Sequence, residues 1–395
     1  MDWQRQLAEV TTGAIVHFDT GGPLPGPLDF KGREALLLIA WQGDRPLAML
    51  FCDRKNGPSV PLPEWIAGLE PAERETDPAL LPLPPEGRPS LTVAVCTRDR
   101  PRLLAACLGS IRRQTLPPAE VLVVDNAPRN DSARQVTARH PGCRYVGEER
   151  PGIARARNRA IQEARGEVVA FVDDDCFLVP NWTRRLAAWF ARRPGLGCVT
   201  GPVLPLALET RGQELIERRG GYARGFATRI FTRDSGPALS RDYPVQAWLF
   251  GTGASMAFSR ERLLAIGGFD ETVHAEDLDV FYRVLTAGSD LVYEPGAAVL
   301  HRHPRELAAV RRNFRAWGRG YVQFLCNVAA SISGDRPKAH RELWSWLFRY
   351  QCRALMRGKM AGRDYPRSMI VQEILGGMGA LAQSLVKVFR PKIEG

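Results

Sequence analysis

The sequence predicts an α/β fold: a mostly parallel sheet with helices on both faces, preceded by a small β-rich unit and followed by a helical extension. Between Leu91 and Val172, short β-branched runs alternate with amphipathic helical stretches, which implies parallel strands joined by right-handed crossovers. The polar residues of this segment fall where the runs end, the edge of a parallel sheet at which ligands bind. Charge is distributed unevenly. Of a net +11, the stretch from His301 onward carries 18 Lys and Arg against 6 Asp and Glu, leaving the preceding 300 residues close to neutral.

The elements follow in order. Residues 1–60 form the β-rich unit, with apolar runs Ala35–Trp41 and Leu47–Cys52 around the turn-type cluster Gly43-Asp44-Arg45-Pro46, a hairpin signature. Residues 61–90 are proline-rich and suit an extended linker. A strand at Leu91–Cys96 leads through the polar loop Thr97–Pro101 into a helix from Leu103 to Ile111. Strands then fall at Glu120–Asp125, Arg144–Val146 and Val168–Val172, with helices at Ser132–Arg139 and Ile153–Ala164 between them. Further on, Asp290–Tyr293 and Val299–His303 read as strand-like, and Leu278, Phe281, Tyr282 and Leu285 recur at helical spacing. After His303 the chain is helical, with Leu307, Val310, Phe314, Trp317, Tyr321 and Phe324 on one stripe and Arg311, Arg312, Arg315 and Arg319 away from it.

Eight cysteines with no C-x-x-C pair argue against a zinc module or a dense disulfide framework, and suit reduced thiols in a cytosolic chain. Met1–Val10 has no apolar signal core, and Met369–Phe389 is interrupted by Gln372, Glu373, Gln383 and Lys387, so it reads as amphipathic rather than membrane-spanning. The expected location is cytoplasmic, with the tail against the inner face of the membrane.

Chemistry concentrates at Asp173-Asp174-Asp175, into which the Val168–Val172 strand runs. Adjacent carboxylates repel, so the cluster calls for a cation. If the extended backbone continues, Asp173 and Asp175 share a face and suit Mg²⁺ or Mn²⁺ held together with a diphosphate. The plainer alternative is an acidic turn ahead of a helix near Asn181. A second acidic group, Glu276-Asp277-Leu278-Asp279, opens a helix, where carboxylates are also favoured electrostatically.

Five ordered blocks resemble the family 2 glycosyltransferases of GT-A fold. They are Val93-Ala-Val-Cys-Thr-Arg-Asp-Arg-Pro101, Glu120-Val-Leu-Val-Val-Asp-Asn126, Gly152-Ile-Ala-Arg-Ala-Arg-Asn158, Phe171-Val-Asp-Asp-Asp175, and a second half containing Gly251-Thr-Gly-Ala-Ser-Met-Ala-Phe258, Ile266-Gly-Gly-Phe-Asp-Glu271 and Ala275-Glu-Asp-Leu-Asp279. The resemblance covers residues 91–303, which become the catalytic domain, leaving 304–395 as the basic helical extension. It implies transfer of a sugar from a nucleotide-diphosphate sugar, a UDP-sugar above all, to an acceptor hydroxyl with inversion, in cell-surface polysaccharide or glycolipid synthesis.

By the same resemblance Thr97, Arg98, Asp125, Arg157, Asp173, Asp174 and Glu276 bind the nucleotide sugar, with Asp125 accepting a base N–H. Asp173 and Asp175 hold Mn²⁺ or Mg²⁺, His301 adds a metal or diphosphate contact, and Asp277 is the base that deprotonates the acceptor. Three positions stay open on their residues alone: His301, with His303, could equally be a surface polar pair at a strand end. Arg157 has helix-surface neighbours Arg155 and Arg159, and Trp248, before the small residues Gly251 to Ser255, is either a sugar-facing wall or a buried aromatic. The motif His274-Ala-Glu-Asp277 departs from the glycine-rich approach of many relatives.

The tail's cationic excess with interleaved aromatics describes a surface for anionic lipid, beside which a carbohydrate or lipid-linked acceptor would lie. A sugar nucleotidyltransferase would need a glycine-rich loop after the first strand, and Cys96-Thr-Arg-Asp-Arg-Pro101 has no glycine. A basic nucleic-acid- or membrane-binding protein with a non-catalytic domain is the non-enzyme alternative. The tail carries no nucleic-acid-binding motif and leaves the acidic cluster unexplained, so no nucleic-acid partner is expected.

Overall fold

The computed structural model describes residues 13–22, 28–57, 59–60, 65, 88–235, 242–331 and 334–389. In the N-terminal unit β1 (Gly13–Asp19) runs parallel to β3 (Ala35–Gln42), which pairs antiparallel with β4 (Arg45–Asp53) across the expected turn. The short β2 (Leu28–Asp29) and β5 (Ser59–Val60) pair with each other. Alternation along β3 divides its side chains: Leu36, Leu38 and Ala40 pack with Phe18 and Phe30, while Leu37, Ile39 and Trp41 enter the main core. Most of the proline-rich segment lies outside the described residues.

The central sheet has eight strands in the order β13-β15-β11-β14-β9-β6-β7-β8. These are β6 (Leu91–Thr97), β7 (Glu120–Asn126), β8 (Cys143–Glu148), β9 (Val168–Asp173), β11 (Leu196–Thr200), β13 (Arg229–Phe231), β14 (Ser255–Ser259) and β15 (Asp290–Tyr293). The β8-β7-β6-β9 half is wholly parallel, as its β-branched runs and intervening helices require. Beyond it β14 and β13 run antiparallel to their neighbours, so the sheet is mixed.

Helices α1 (Pro101–Arg112), α2 (Ser132–Ala138) and α4 (Trp182–Arg192) cover one face, where Val93, Val95, Val123 and Val172 meet Leu104, Leu108 and Trp182. Helices α3 (Ile153–Glu163) and α7 (Glu276–Thr286) cover the other, where Ala94, Leu122 and Phe171 meet Ile161, Phe281 and Leu285. Two further helices, α5 (Arg211–Arg219) and α6 (Arg260–Ala265), lie in the connections.

A small second sheet matters most for the site. Strands β10 (Cys176–Leu178), β16 (Val299–His301) and β12 (Val203–Pro205) lie side by side, with Cys176 opposite His301. The backbone N–H of Arg302 donates to Asp175 O at 2.9 Å. A histidine 126 positions away in sequence is thereby set beside the acidic cluster.

The tail comprises α8 (Leu307–Ala330), α9 (Arg336–Trp344), a π-helical stretch Ser345–Cys352, α10 (Arg353–Arg357), a hairpin of β17 (Lys359–Met360) and β18 (Arg363–Asp364), and α11 (Arg367–Phe389). Its apolar stripe begins one turn later than expected. Leu307 is 41% exposed, whereas Val310, Phe314 and Phe324 are buried. No helix among the described residues is long and apolar enough to cross a membrane.

Candidate active site

Register brings the acidic residues together. Thr97 is the ladder partner of Asp125, and Cys96 that of Asp173, so the ends of β6, β7 and β9 put these side chains on adjacent rungs. The extended backbone does not continue through the acidic cluster, contrary to the condition that would have set Asp173 and Asp175 on one face. The chain turns at Asp174 and Asp175 before β10; these two share Arg100, while Asp173 pairs with Arg157.

Asp174 is buried and accepts from the Thr97 hydroxyl at 2.6 Å and from Arg100 at 3.0 Å. Burial nevertheless lifts its carboxyl to about 6. Asp175 receives the same Arg100 guanidinium on Oδ2 at 3.1 Å. Its Oδ1 faces His301 Nε2 at 3.3 Å and is a buried atom without a hydrogen-bond partner. Asp173 lies against Arg157 at 3.4 Å.

Arg157 is the hub. It is 3% exposed, so the helix-surface alternative is wrong. Its guanidinium donates to Glu276 at 2.7 Å, to Asp173, and to Gly253 O at 3.1 Å. The Gly253 N–H in turn donates to Asp277 Oδ2 at 2.9 Å, and the Leu278 N–H to Asp277 Oδ1 at 2.9 Å. A Cβ on Gly253 would stand 2.8 Å from the Arg157 guanidinium, so a side chain there would push that group aside. One buried cation thus couples the end of β9 to the start of α7. Burial raises Glu276 to about 7 despite Arg157.

Asp125 is buried; its Oδ2 accepts from the Tyr145 hydroxyl at 3.1 Å and its Oδ1 has no partner. Burial also raises this carboxyl. An orphaned buried acceptor at a strand end is what a ligand N–H would satisfy. Arg98 is exposed in the loop after β6. Trp248 is half-buried, its carbonyl receiving Arg224 Nε at 2.8 Å.

Four contributors escaped the sequence reading. Arg100 bridges two of the three aspartates, and Tyr145 partners Asp125. Asn158 pairs with both the N–H and the C=O of Phe269, fastening the Gly-Gly-Phe loop to α3. Arg224 lies in the field of Asp277, its pKa lowered by burial. Asn158 stood inside a quoted motif and could have been found there. Arg224 sits between Thr200 and Gln246, where no motif offered guidance.

The donor chemistry suits a divalent cation in part. Among the described residues no three His, Cys, Asp or Glu side chains gather at one point. Asp175 and His301 do converge, the buried Asp175 Oδ1 standing 3.3 Å from His301 Nε2. That pair accepts an Mn²⁺ or Mg²⁺ whose remaining ligands come from substrate or water.

A sheet of this order, with carboxylates at the ends of adjacent parallel strands and a second acidic pair opening a helix across from them, defines a GT-A-type glycosyltransferase. Residues 89–320 match the family described as Glycosyltransferase like family 2, more than half of the chain, and the protein belongs to that family. It is 29% identical over 228 residues to the uncharacterised protein y4gI of Sinorhizobium fredii, a match covering 55% of this chain and 25% of that protein. It is 31% identical over 157 residues to the pre-mycofactocin glycosyltransferase of Mycobacterium tuberculosis, covering 40% of this chain and 31% of the relative. The chain therefore spans about a third or less of the length of these two relatives. Among solved structures, the mannosyltransferase PcManGT of Pyrobaculum calidifontis, in complex with GDP-Man and Mn²⁺, superposes with a TM-score of 0.53 at 22% identity, covering 81% of this chain and 92% of that one.

Proposed function

We propose that this glycosyltransferase takes a nucleotide-diphosphate sugar, a UDP-sugar first, and transfers the sugar with inversion to an acceptor hydroxyl, assisted by Mn²⁺ or Mg²⁺. The observation that carries this reading is the Arg157 bridge. It draws Asp173 and Glu276 to a common centre beside Asp277, whose Oδ2 accepts from the Gly253 N–H.

Asp125 offers its unpartnered oxygen to a base N–H, and Thr97 with Arg100 fixes Asp174 at the next strand end. Asp175 and His301 would hold the cation, which supplies Lewis-acid stabilisation of the departing diphosphate when bound. Asp277, oriented by two backbone N–H groups, keeps lone pairs free to take the acceptor proton as its oxygen attacks the anomeric carbon. Arg157 neutralises the carboxylates around it and holds the two halves in register.

The acceptor we assign is a carbohydrate or lipid-linked hydroxyl in cell-surface polysaccharide or glycolipid synthesis, with the tail resting on an anionic membrane. The surface supporting that placement has exposed Trp344, Phe348, Tyr350 and Met356 among Arg349, Arg353 and Arg357. The chemical step is tested by nucleotide release from a panel of UDP- and GDP-sugars with saccharide and lipid-linked acceptors. Asp277→Asn should lose about a hundredfold or more in turnover while retaining nucleotide binding. An Asp277→Asn protein that turns over like wild type would remove Asp277 from the role of base.

A further inference from the structure

Behind His301 lie two side chains, His303 and Glu217, that the transfer mechanism does not use. His301 Nδ1 is 2.7 Å from His303 Nδ1, and His303 Nε2 is 2.8 Å from Glu217 Oε1. His303 and Glu217 are buried. The Tyr222 ring meets both imidazoles edge-on, with centroids 5.7 Å and 5.2 Å away.

The geometry points to a tautomer relay: we propose that Glu217, through His303, orients His301 so that its bare Nε2 faces Asp175 and receives the divalent cation. This rests on the metal-assisted reading above. Hydrogen counting carries it. Asp175 and Glu217 are acceptors at the two ends; with a cation on His301 Nε2 both imidazoles are neutral, and their two N–H groups serve the two contacts that remain. The two short contacts, at 2.7 Å and 2.8 Å, take those hydrogens. The third, Asp175 Oδ1 to His301 Nε2, is 3.3 Å long, the most open of the three. His303 therefore donates from Nε2 to Glu217 and accepts at Nδ1, and His301 donates from Nδ1. The lone pair on His301 Nε2 then faces the Asp175 carboxylate, a contact that a cation between them, a metal ion or a proton, makes favourable. Carboxylate–imidazole partners behind a ligand histidine fix its tautomer and raise its basicity in this way.

The fold is built to hold the relay. Helix α5, which carries Glu217, is fastened to the histidine segment by Gln213 donating to His303 O at 3.3 Å and by the Thr210 hydroxyl donating to Arg305 O at 2.8 Å. Gly212 permits the approach, since a Cβ there would stand 2.6 Å from Arg305 O.

The test is calorimetric titration of Mn²⁺ into the full chain in the presence of UDP, for wild type, Asp175→Ala, Glu217→Gln and Glu217→Leu. It is paired with the ¹⁵N shifts of the imidazole nitrogens in the metal-free protein. Gln keeps a carbonyl acceptor for His303 Nε2–H, and Leu removes it. Wild type should show His301 protonated at Nδ1, and Glu217→Leu should lose that preference and bind Mn²⁺ about 10- to 100-fold more weakly. Glu217→Gln should stay within a few-fold of wild type, which separates loss of the relay from loss of the fold. A wild-type His301 whose Nδ1 carries no proton, or equal Mn²⁺ affinity in wild type and Glu217→Leu, overturns the relay alone. Wild type that takes up no Mn²⁺ overturns the metal reading, and the relay with it.

Discussion

Arg157 shows how a single buried charge organises the site. A guanidinium that is 4% exposed at its side chain is tolerable only because Glu276 and Asp173 accept from it in a fixed fork. Removing it would strand the buried Glu276 carboxylate without its cation. Breaking a buried pair from one side costs about 3–5 kcal/mol. Arg157→Met should therefore lower the urea midpoint of unfolding by a corresponding amount, whereas Arg155→Met, on the more exposed side of the same helix, should change it little. A variant as stable as wild type would mean that the Arg157 bridge is not what joins the two acidic groups. The same scale explains why Asp125 matters: its burial and single partner leave one oxygen waiting for a donor.

At the scale of elements, close backbone approach sets the arrangement of the tail. Helices α8 and α11 cross where Gly318 meets Glu373 O, and Gly376 meets Arg315 O, with no room for a side chain on either. Because the obstructing atoms are backbone, Gly318→Leu forces the helices apart and should destabilise by about 1–3 kcal/mol. Gly379→Leu, where nothing lies within 4 Å, should be neutral or slightly stabilising through helix propensity. Thermal unfolding of the two variants reads the difference, and equal melting temperatures would contradict the crossing.

Most elements were legible because their residues carry local signals. The runs Leu91–Cys96 and Val168–Val172, the turn around Gly43 and the periodicity of α7 all declare themselves within a few residues. What was not legible depends on long-range pairing. The turn at Asp174–Asp175 arises because β10 must join β16, and no local pattern encodes that partner. For the same reason His301 could be named as a candidate but the Glu217–His303 pair behind it could not. Its members lie 86 residues apart, on a helix without a recognised motif. Arg157 was singled out, but its neighbours Arg155 and Arg159 gave no hint that it alone turns inward.

For the whole molecule, the neutral body and the cationic tail form one packed structure with different surfaces. The tail's buried stripe closes over the second face of the sheet through Phe324, Leu325 and Val328. Its outer side leaves Trp344 58% and Phe348 57% exposed, stacked on each other with ring centroids 5.3 Å apart. Exposed aromatics beside arginines suit a lipid interface, where rings enter the headgroup layer and guanidinium groups meet phosphate. In flotation assays the protein should rise with vesicles containing phosphatidylserine and less with neutral ones, and Trp344→Ala with Phe348→Ala should reduce the bound fraction several-fold. Equal partitioning onto both vesicle types would leave the tail a packing element only.

The central claim is that the acidic ends of β6, β7 and β9 form a nucleotide-sugar site completed by a divalent cation. Calorimetric titration of UDP into wild type and Asp175→Ala, with and without Mn²⁺, tests it most directly, with GDP as the alternative base. Nucleotide binding that strengthens with Mn²⁺ in wild type and loses that dependence in Asp175→Ala is the predicted result. Wild type that binds neither nucleotide, with or without Mn²⁺, would contradict it.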